Sequence, residues 1–182
     1  MNNKTGVLFQ GVEGGTVMGN SISLSNEHGI TMDNSGFVSI NGNNIYKNNK
    51  REIFLYKRSN NVIENNVILN NGQSNSEYGI YLTSSSTHNL VAGNRIADNQ
   101  ETKTQKGIYI NADYNYIFNN NLQDNLETAV KVTINGKNSK IRGNIGYVTE
   151  NAGKATIDAV NAYVNVYHGL SNTPLIQCCP VK

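Results

Sequence analysis

Short runs of apolar, mostly β-branched residues alternate along this chain with asparagine-rich breaks, and the alternation recurs. With Ile68 as an anchor, equivalent positions fall at Ile22, Ile45, Ile96, Leu122 and Ile145, spaced 23 to 28 residues apart. Asparagine stands two residues before five of these six anchors, at Asn20, Asn43, Asn66, Asn94 and Asn120; Gly143 stands before the sixth. Five residues before come Val17, Ile40, Ile63, Val91 and Ile117, and the sixth copy reads as one residue short, with Ile141 four before its anchor. A further run opens each repeat: Val7-Leu8-Phe9, Ile30-Thr31-Met32, Ile53-Phe54-Leu55, Ile80-Tyr81-Leu82, Ile108-Tyr109-Ile110 and Val130-Lys131-Val132.

Alternation over three to five residues, bounded by Asn and Gly, predicts short strands with one buried face. Three such strands per repeat make one turn of a coil, and stacked turns form parallel sheets with strands about 4.8 Å apart. A sustained period of this length identifies a solenoid. Gly29, Gly79 and Gly107 directly precede three opening runs, where a tight bend with positive φ is expected. Asparagines at one corner of successive turns can bond amide to amide with left-handed backbone, satisfying polar groups of a half-buried bend. Asn20–Asn43–Asn66–Asn94–Asn120 is one expected ladder, and Asn48–Asn71–Asn99–Asn125 a second.

Composition narrows the choice. The 182 residues fit one domain, and 37% apolar residues with no Trp is thin for a globular core but suits a solenoid, where each turn buries only a narrow stack. The 33 asparagines argue against a helical repeat. Leucine-rich repeats need Leu at several framework positions, and only ten Leu occur; the beats of hexapeptide and calcium-binding nonapeptide repeats are missing. A net charge of +2, scattered along the chain, gives no reason to expect nucleic acid or a membrane surface as partner. There is no signal peptide in this chain and no apolar run of membrane-spanning length, so a soluble chain is expected. Cys178 and Cys179 are adjacent; they cannot staple distant segments, are too few for a structural zinc site, and leave the redox compartment open.

Gly79-Ile80-Tyr81-Leu82, followed by Asn60-type breaks such as Asn60-Asn61-Val62-Ile63-Glu64-Asn65-Asn66, resembles the right-handed parallel β-helix of the pectate-lyase-like superfamily. That group includes polysaccharide lyases, polygalacturonases, phage tailspikes and periplasmic proteins of the NosD type. The resemblance covers about residues 6–150 and implies an all-β, right-handed parallel β-helix of about six turns. Residues 1–150 are expected to form it, and 151–182 a C-terminal β-rich extension, an incomplete cap or oligomerisation module. Asn144–Asn151, Ala155–Ile157 and Tyr163–Leu170 are similar to the C-terminal end of phage and prophage β-helix proteins. The resemblance thus implies a virion tail or an extracellular or cell-surface location, and a homotrimer as in related tailspikes.

The two longer repeats carry their extra residues at one corner, Gln73–Tyr78 and Gln100–Lys106; loops on a rigid scaffold are where function usually sits. Residues facing outward from the opening strands form two columns, Thr31, Phe54, Tyr81, Tyr109, Lys131 and Asp33, Tyr56, Thr83, Asn111, Thr133. Phe54, Tyr56, Tyr81 and Tyr109, with Asp33, are the candidate substrate-binding residues for a polysaccharide or cell-surface glycan, because ring faces stack on sugar C–H faces while carboxylates and amides hold hydroxyls. The same columns also fit strand propensity and cross-strand stacking. Glycoside hydrolysis needs two carboxylates about 5 to 9.5 Å apart. Glu27, Glu52, Glu77 and Glu127 precede opening strands and Glu101 lies in the second loop. The resemblance implies that a lyase would use an Arg or Lys base with Ca²⁺, which brings in Arg51, Lys57 and Arg58. The catalytic candidates are Glu52, Glu77, Glu101 and Arg51. No Asp cluster matches the superfamily's calcium site, so no cofactor is expected; His28, His88 and His168 share no spacing that would hold a metal, copper included. The leading expectation is a non-catalytic, carbohydrate-contacting module of a phage tail or cell-surface protein. Its rivals are a lyase or hydrolase of acidic polysaccharide and a structural trimeric stalk.

Overall fold

The structure, a computed structural model, describes residues 4–70, 77–100, 105–125, 132–134 and 137–146. The second half of the expected C-terminal boundary, 151–182, therefore lies outside the described residues, as do Glu101, Glu127, Lys131, His168 and both cysteines. Every strand pairs in parallel with its equivalent one repeat away, and among the described residues there is no helix.

One sheet joins β1 (Thr5–Gln10), β4 (His28–Asp33), β7 (Ile53–Tyr56), β10 (Tyr78–Leu82), β13 (Lys106–Ile110) and β15 (Val132–Ile134). The second joins β2 (Glu13–Met18), β5 (Gly36–Asn41), β8 (Val62–Glu64), β11 (Leu90–Ala92), β14 (Tyr116–Phe118) and β16 (Lys140–Arg142). The third joins β3 (Ser21–Ser23), β6 (Asn44–Tyr46), β9 (Val67–Leu69) and β12 (Arg95–Ala97), and single bridges at Asn121 and Ile145 continue it. The result is a three-faced parallel β-helix of about five turns, with β15 and β16 laid on top as strands of a sixth.

The core consists of four axial stacks of like side chains. Ile30, Ile53, Ile80 and Ile108 make one, Met32, Leu55, Leu82 and Ile110 the next; Val17, Ile40, Ile63, Val91 and Ile117 line the second sheet, and Ile22, Ile45, Ile68, Ile96 and Leu122 the third. Each fully buried Ile or Leu contributes about 1.5–3 kcal/mol, and the stacks are continuous, so a thin composition still yields an unbroken core.

At the two corners that flank the second sheet, each turn has a residue with left-handed backbone followed by the residue that enters the corner. At the corner between the second and third sheets the left-handed residues are Gly19, Gly42, Asn65, Gly93, Asn119 and Gly143. The inward residues are Asn20, Asn43, Asn66, Asn94 and Asn120, as expected, followed by Asn144. Asn66 Nδ2 donates to Asn94 Oδ1 at 2.9 Å and to the Ile40 carbonyl at 3.0 Å, while Asn66 N donates to the same Asn94 Oδ1 at 3.0 Å. The pattern repeats from Asn43 to Asn144. Positive φ thus belongs to the residue before each ladder asparagine, not to the asparagine itself.

Register corrects two further expectations. Asn120 pairs with Asn144 and Asn121 with Ile145, so the sixth repeat is not one residue short: Ile145 is 54% exposed, and Gly146 takes the anchor position. Ile108 and Ile110 pair with Val132 and Ile134, which moves the sixth opening strand two residues beyond Val130 and puts Thr133 in the column with Tyr109.

The ladder expected at Asn48–Asn71–Asn99–Asn125 forms only in part. Asn48 Oδ1 accepts from Ser25 N at 2.9 Å, but the inward residue in the fourth turn is Asp98, and Asn99 is exposed. Gln105 bridges the step, donating from its backbone to Asp98 Oδ2 at 2.8 Å and from Nε2 to Asn125 Oδ1 at 2.9 Å; Asn71 lies outside the described residues. An unexpected ladder runs instead at the remaining corner, where Asn61 Nδ2 donates to Asn89 Oδ1 at 3.0 Å and Asn89 Nδ2 to Asn115 Oδ1 at 3.1 Å, with Ser35 and Ser139 at its ends.

Gly29, Gly79 and Gly107 do not adopt positive φ. Gly29 and Gly79 lack a side chain for a different reason: a Cβ on Gly79 would lie 2.7 Å from Ile96 Cγ2, and one on Gly29 would lie 2.7 Å from Ile45 Cγ2. At these two positions the first strand passes so close to the third-sheet stack that only hydrogen fits.

Candidate functional site

The outer face of the first sheet carries three columns rather than two. Register aligns His28 with Arg51, Tyr78 and Lys106; Leu8 and Thr31 with Phe54, Tyr81 and Tyr109; and Gln10 and Asp33 with Tyr56, Thr83 and Asn111. The first column was missed because the opening strands seemed to begin at the buried Ile. The signal was present in the pairs that precede it: His28-Gly29, Tyr78-Gly79 and Lys106-Gly107 each extend the strand with an outward residue and a glycine.

The expected aromatic patch forms, but its rings face one another more than they face solvent. Tyr81 and Tyr109 stack with centroids 4.5 Å apart, and Phe54 meets Tyr81 edge-on at 5.8 Å. His28 stacks on Phe54 at 4.9 Å, and Tyr78 packs against Tyr109 at 5.1 Å. Such pairs contribute about 0.5–1.5 kcal/mol each. Tyr56 is the most exposed of the four rings at 41%. Burial, followed by the neighbouring Tyr109, raises the Tyr81 phenol above its usual range, so its hydroxyl stays a hydrogen-bond donor.

Arg51 ties this face together. Its guanidinium lies 4.3 Å over the Tyr81 ring and 5.0 Å from that of Phe54. Its Nε stands 3.1 Å from Glu77 Oε2, an ion-pair contact off the line of a hydrogen bond. Its backbone N donates to His28 Nδ1 at 3.3 Å. Burial, then the charges of Arg51 and Lys50, lower the His28 imidazole to about 4; it is neutral at physiological pH. Lys106 and Lys57 sit over Tyr78 and Tyr56 at 5.3 and 4.8 Å. Thr31 Oγ1 is buried without a hydrogen-bond partner among the described residues.

The structure brings Arg51 and Glu77 together and places Asp33 at the end of β4, where Gln10 Nε2 donates to its Oδ2 at 3.4 Å. Glu52 is a correction. It was expected as a catalytic candidate just before an opening strand, but it is fully buried, with its carboxylate turned inward against Asn48: Oε2 meets Asn48 Nδ2 closely and Oε1 accepts from Asn48 N at 3.2 Å. Burial pushes this carboxyl well above the usual range. It occupies the column of Gly29 and Gly79, and the missing side chain of Gly29 is what makes room for it. Glu27 pairs with Lys50 at 3.2 Å, which holds its carboxyl below the ordinary value. Thus Glu27 and Glu77 each pair with a cation while Glu52 points the other way.

Among known proteins, a family model described as periplasmic copper-binding protein (NosD) matches residues 1–103, just over half of the chain. No curated protein and no solved structure matches. The matched stretch contains the first three complete turns, most of the fourth, and Arg51 with His28, Phe54, Glu77 and Tyr81, and by that match the chain belongs to the NosD family.

Proposed function

We propose that this protein is a non-catalytic, glycan-contacting β-helix module of the cell envelope or cell surface. The observation that carries this reading is the outer face of the first sheet: over four successive turns its outward positions hold rings, cations, hydroxyls and amides, the combination that grips sugar faces and hydroxyls together. Tyr56, 41% exposed, offers a ring for C–H contact, with Thr83 and Asn111 beside it in the same column for hydrogen bonding. The family's periplasmic description supports an envelope setting. The virion-tail alternative rests on the segment from Asn144 to Leu170, most of which lies outside the described residues.

Catalysis gains little support from the acids, since Glu52 is sealed in the core and Glu77 is paired with Arg51. Copper, named in the family description, does not fit the donors among the described residues. Met32 is sealed in the core, the His28 Nδ1 is engaged, and among the described residues no three His, Cys, Asp or Glu side chains converge.

A glycan array probed with the wild-type chain, Tyr81→Ala and Tyr109→Ala tests the proposal. Binding by the wild type and its loss in the variants is expected; equal signal from all three would sink it. Release of unsaturated or reducing ends from uronate polymers would overturn the non-catalytic part.

A further inference from the structure

The left-handed corner between the first and second sheets breaks the rule that the next corner keeps. Register aligns Gly14, Phe37, Asn60, His88, Tyr114 and Asn138 in one column, and all six have positive φ. The corner between the second and third sheets meets the same requirement with Gly or Asn in every turn. These residues reach the left-handed region at little cost, whereas a bulky side chain there is strained by about 1–2 kcal/mol. Three of the six positions nonetheless carry rings.

The rings return little to the fold beyond one stacked pair and one hydrogen bond, between His88 Nδ1 and Thr87 Oγ1 at 3.1 Å. Phe37 is 62% exposed and Tyr114 45%, and His88 is exposed as well. Among the described residues the only ring contact on this column is His88 stacked parallel on Tyr114 at 5.2 Å, one turn apart. Strain retained without burial points to a contact outside the molecule.

We infer that this corner is a second ligand-contact line, taking a linear polysaccharide laid along the long axis of the coil. A ridge one residue wide cannot bury the roughly 800 Å² that a stable protein partner needs. Its contacts recur about every 4.8 Å along one line, which fits a polymer of flat repeating units held by repeated weak contacts. Asn60, between Phe37 and His88, has no side-chain hydrogen bond among the described residues, and Asn34 and Arg58, hydrogen-bonded to each other at 3.1 Å, flank the ridge. The line thus carries both rings for C–H faces, at Phe37 and the stacked His88–Tyr114 pair, and amides for hydroxyls, at Asn60 and Asn138. The inference shares only its ligand class with the proposed function; the residues and the face are different.

The test exchanges Phe37, His88 and Tyr114 for Asn together, the residue this corner already uses at Asn60 and Asn138, so the fold should be kept. Affinity electrophoresis in gels containing hydroxyethylcellulose, xyloglucan, polygalacturonate or hyaluronate reads binding, with circular dichroism and melting as fold controls. At least one polymer should retard the wild type, and the triple variant should bind that polymer about tenfold more weakly while melting no lower. Unchanged retardation of the triple variant, or no retardation of the wild type by any of the four, would overturn the inference. Loss in Tyr109→Ala with full retention in the triple variant leaves the first-sheet reading standing and removes this one.

Discussion

Glu52 fills the space that Gly29 leaves open: a Cβ on Gly29 would lie 2.6 Å from Glu52 Oε2 and 2.8 Å from the Glu52 carbonyl oxygen. Gly29→Ala should therefore destabilise the protein by about 1–3 kcal/mol, the range for overpacking. Because the clashes with the Glu52 carbonyl oxygen and with Ile45 Cγ2 at 2.7 Å would remain, Glu52→Gly should restore only part of the loss. Urea denaturation of the two single variants and the double variant measures the coupling.

The Asn94 side chain serves three neighbours at once. It accepts from Asn66 N and Asn66 Nδ2, and donates to the Ile63 carbonyl and to Asn120 Oδ1. Asn94→Ala strands several buried groups at about 1–3 kcal/mol each, so a loss of several kcal/mol is expected by denaturation. Asn20→Ala, at the exposed first rung, should cost less than half as much.

Glu52 and His28 pull stability in opposite directions with pH. The folded pKa of Glu52 is raised, so its contribution is complete below its ordinary value of 4.5 and is lost as pH rises toward the folded value. The His28 pKa is lowered from 6.5 to about 4, so its contribution is complete above 6.5 and is lost as pH falls toward 4. Above 4.5 the decline from Glu52 opposes the gain from His28, and the gain is complete by about 6.5. Glu52→Gln should remove the decline that begins above pH 4.5 and uncover the His28 slope between about 4 and 6.5. Denaturation midpoints from pH 4 to 8 check this; a variant parallel to wild type throughout would refute it.

Tyr56 and Tyr81 share a face but should differ under mutation. Tyr81 is held by Tyr109, Phe54 and Arg51, and its replacement by Ala should cost about 1–2 kcal/mol. Tyr56 is 41% exposed, and Tyr56→Ala should stay within about 0.5 kcal/mol. Thermal melting separates the two.

The fold was legible because the repeat carries it: every core stack and the Asn20–Asn120 ladder follow from positions counted from Ile68. What escaped depended on neighbours one turn away. The ladder through Asn61, Asn89 and Asn115 stands two residues before Ile63, Val91 and Ile117 and could have been read by the same counting. The inward turn of Glu52 could not, because it depends on a glycine 23 residues earlier in the chain. Nor could Asp98 displacing Asn99, since the number of residues that follow it before the next strand shifts which side chain meets the corner. The aromatic columns were placed correctly at Phe54, Tyr81 and Tyr109, but strand alternation cannot say whether rings present their faces to solvent or to each other.

The asparagine ladder also frees the chain from its own arithmetic. Linked amides are separated by 23 residues at Asn43–Asn66, 28 at Asn66–Asn94, 26 at Asn94–Asn120 and 24 at Asn120–Asn144, yet each amide-to-amide bond is 2.9–3.0 Å long. Each turn is aligned by contact with its neighbour rather than by residue count, so segments of unequal length can be spliced in at a corner while the turns on either side keep their register. A scaffold with that property can diversify by duplication and loop exchange, one turn at a time, and it offers the protein engineer interchangeable cassettes on a fixed axis.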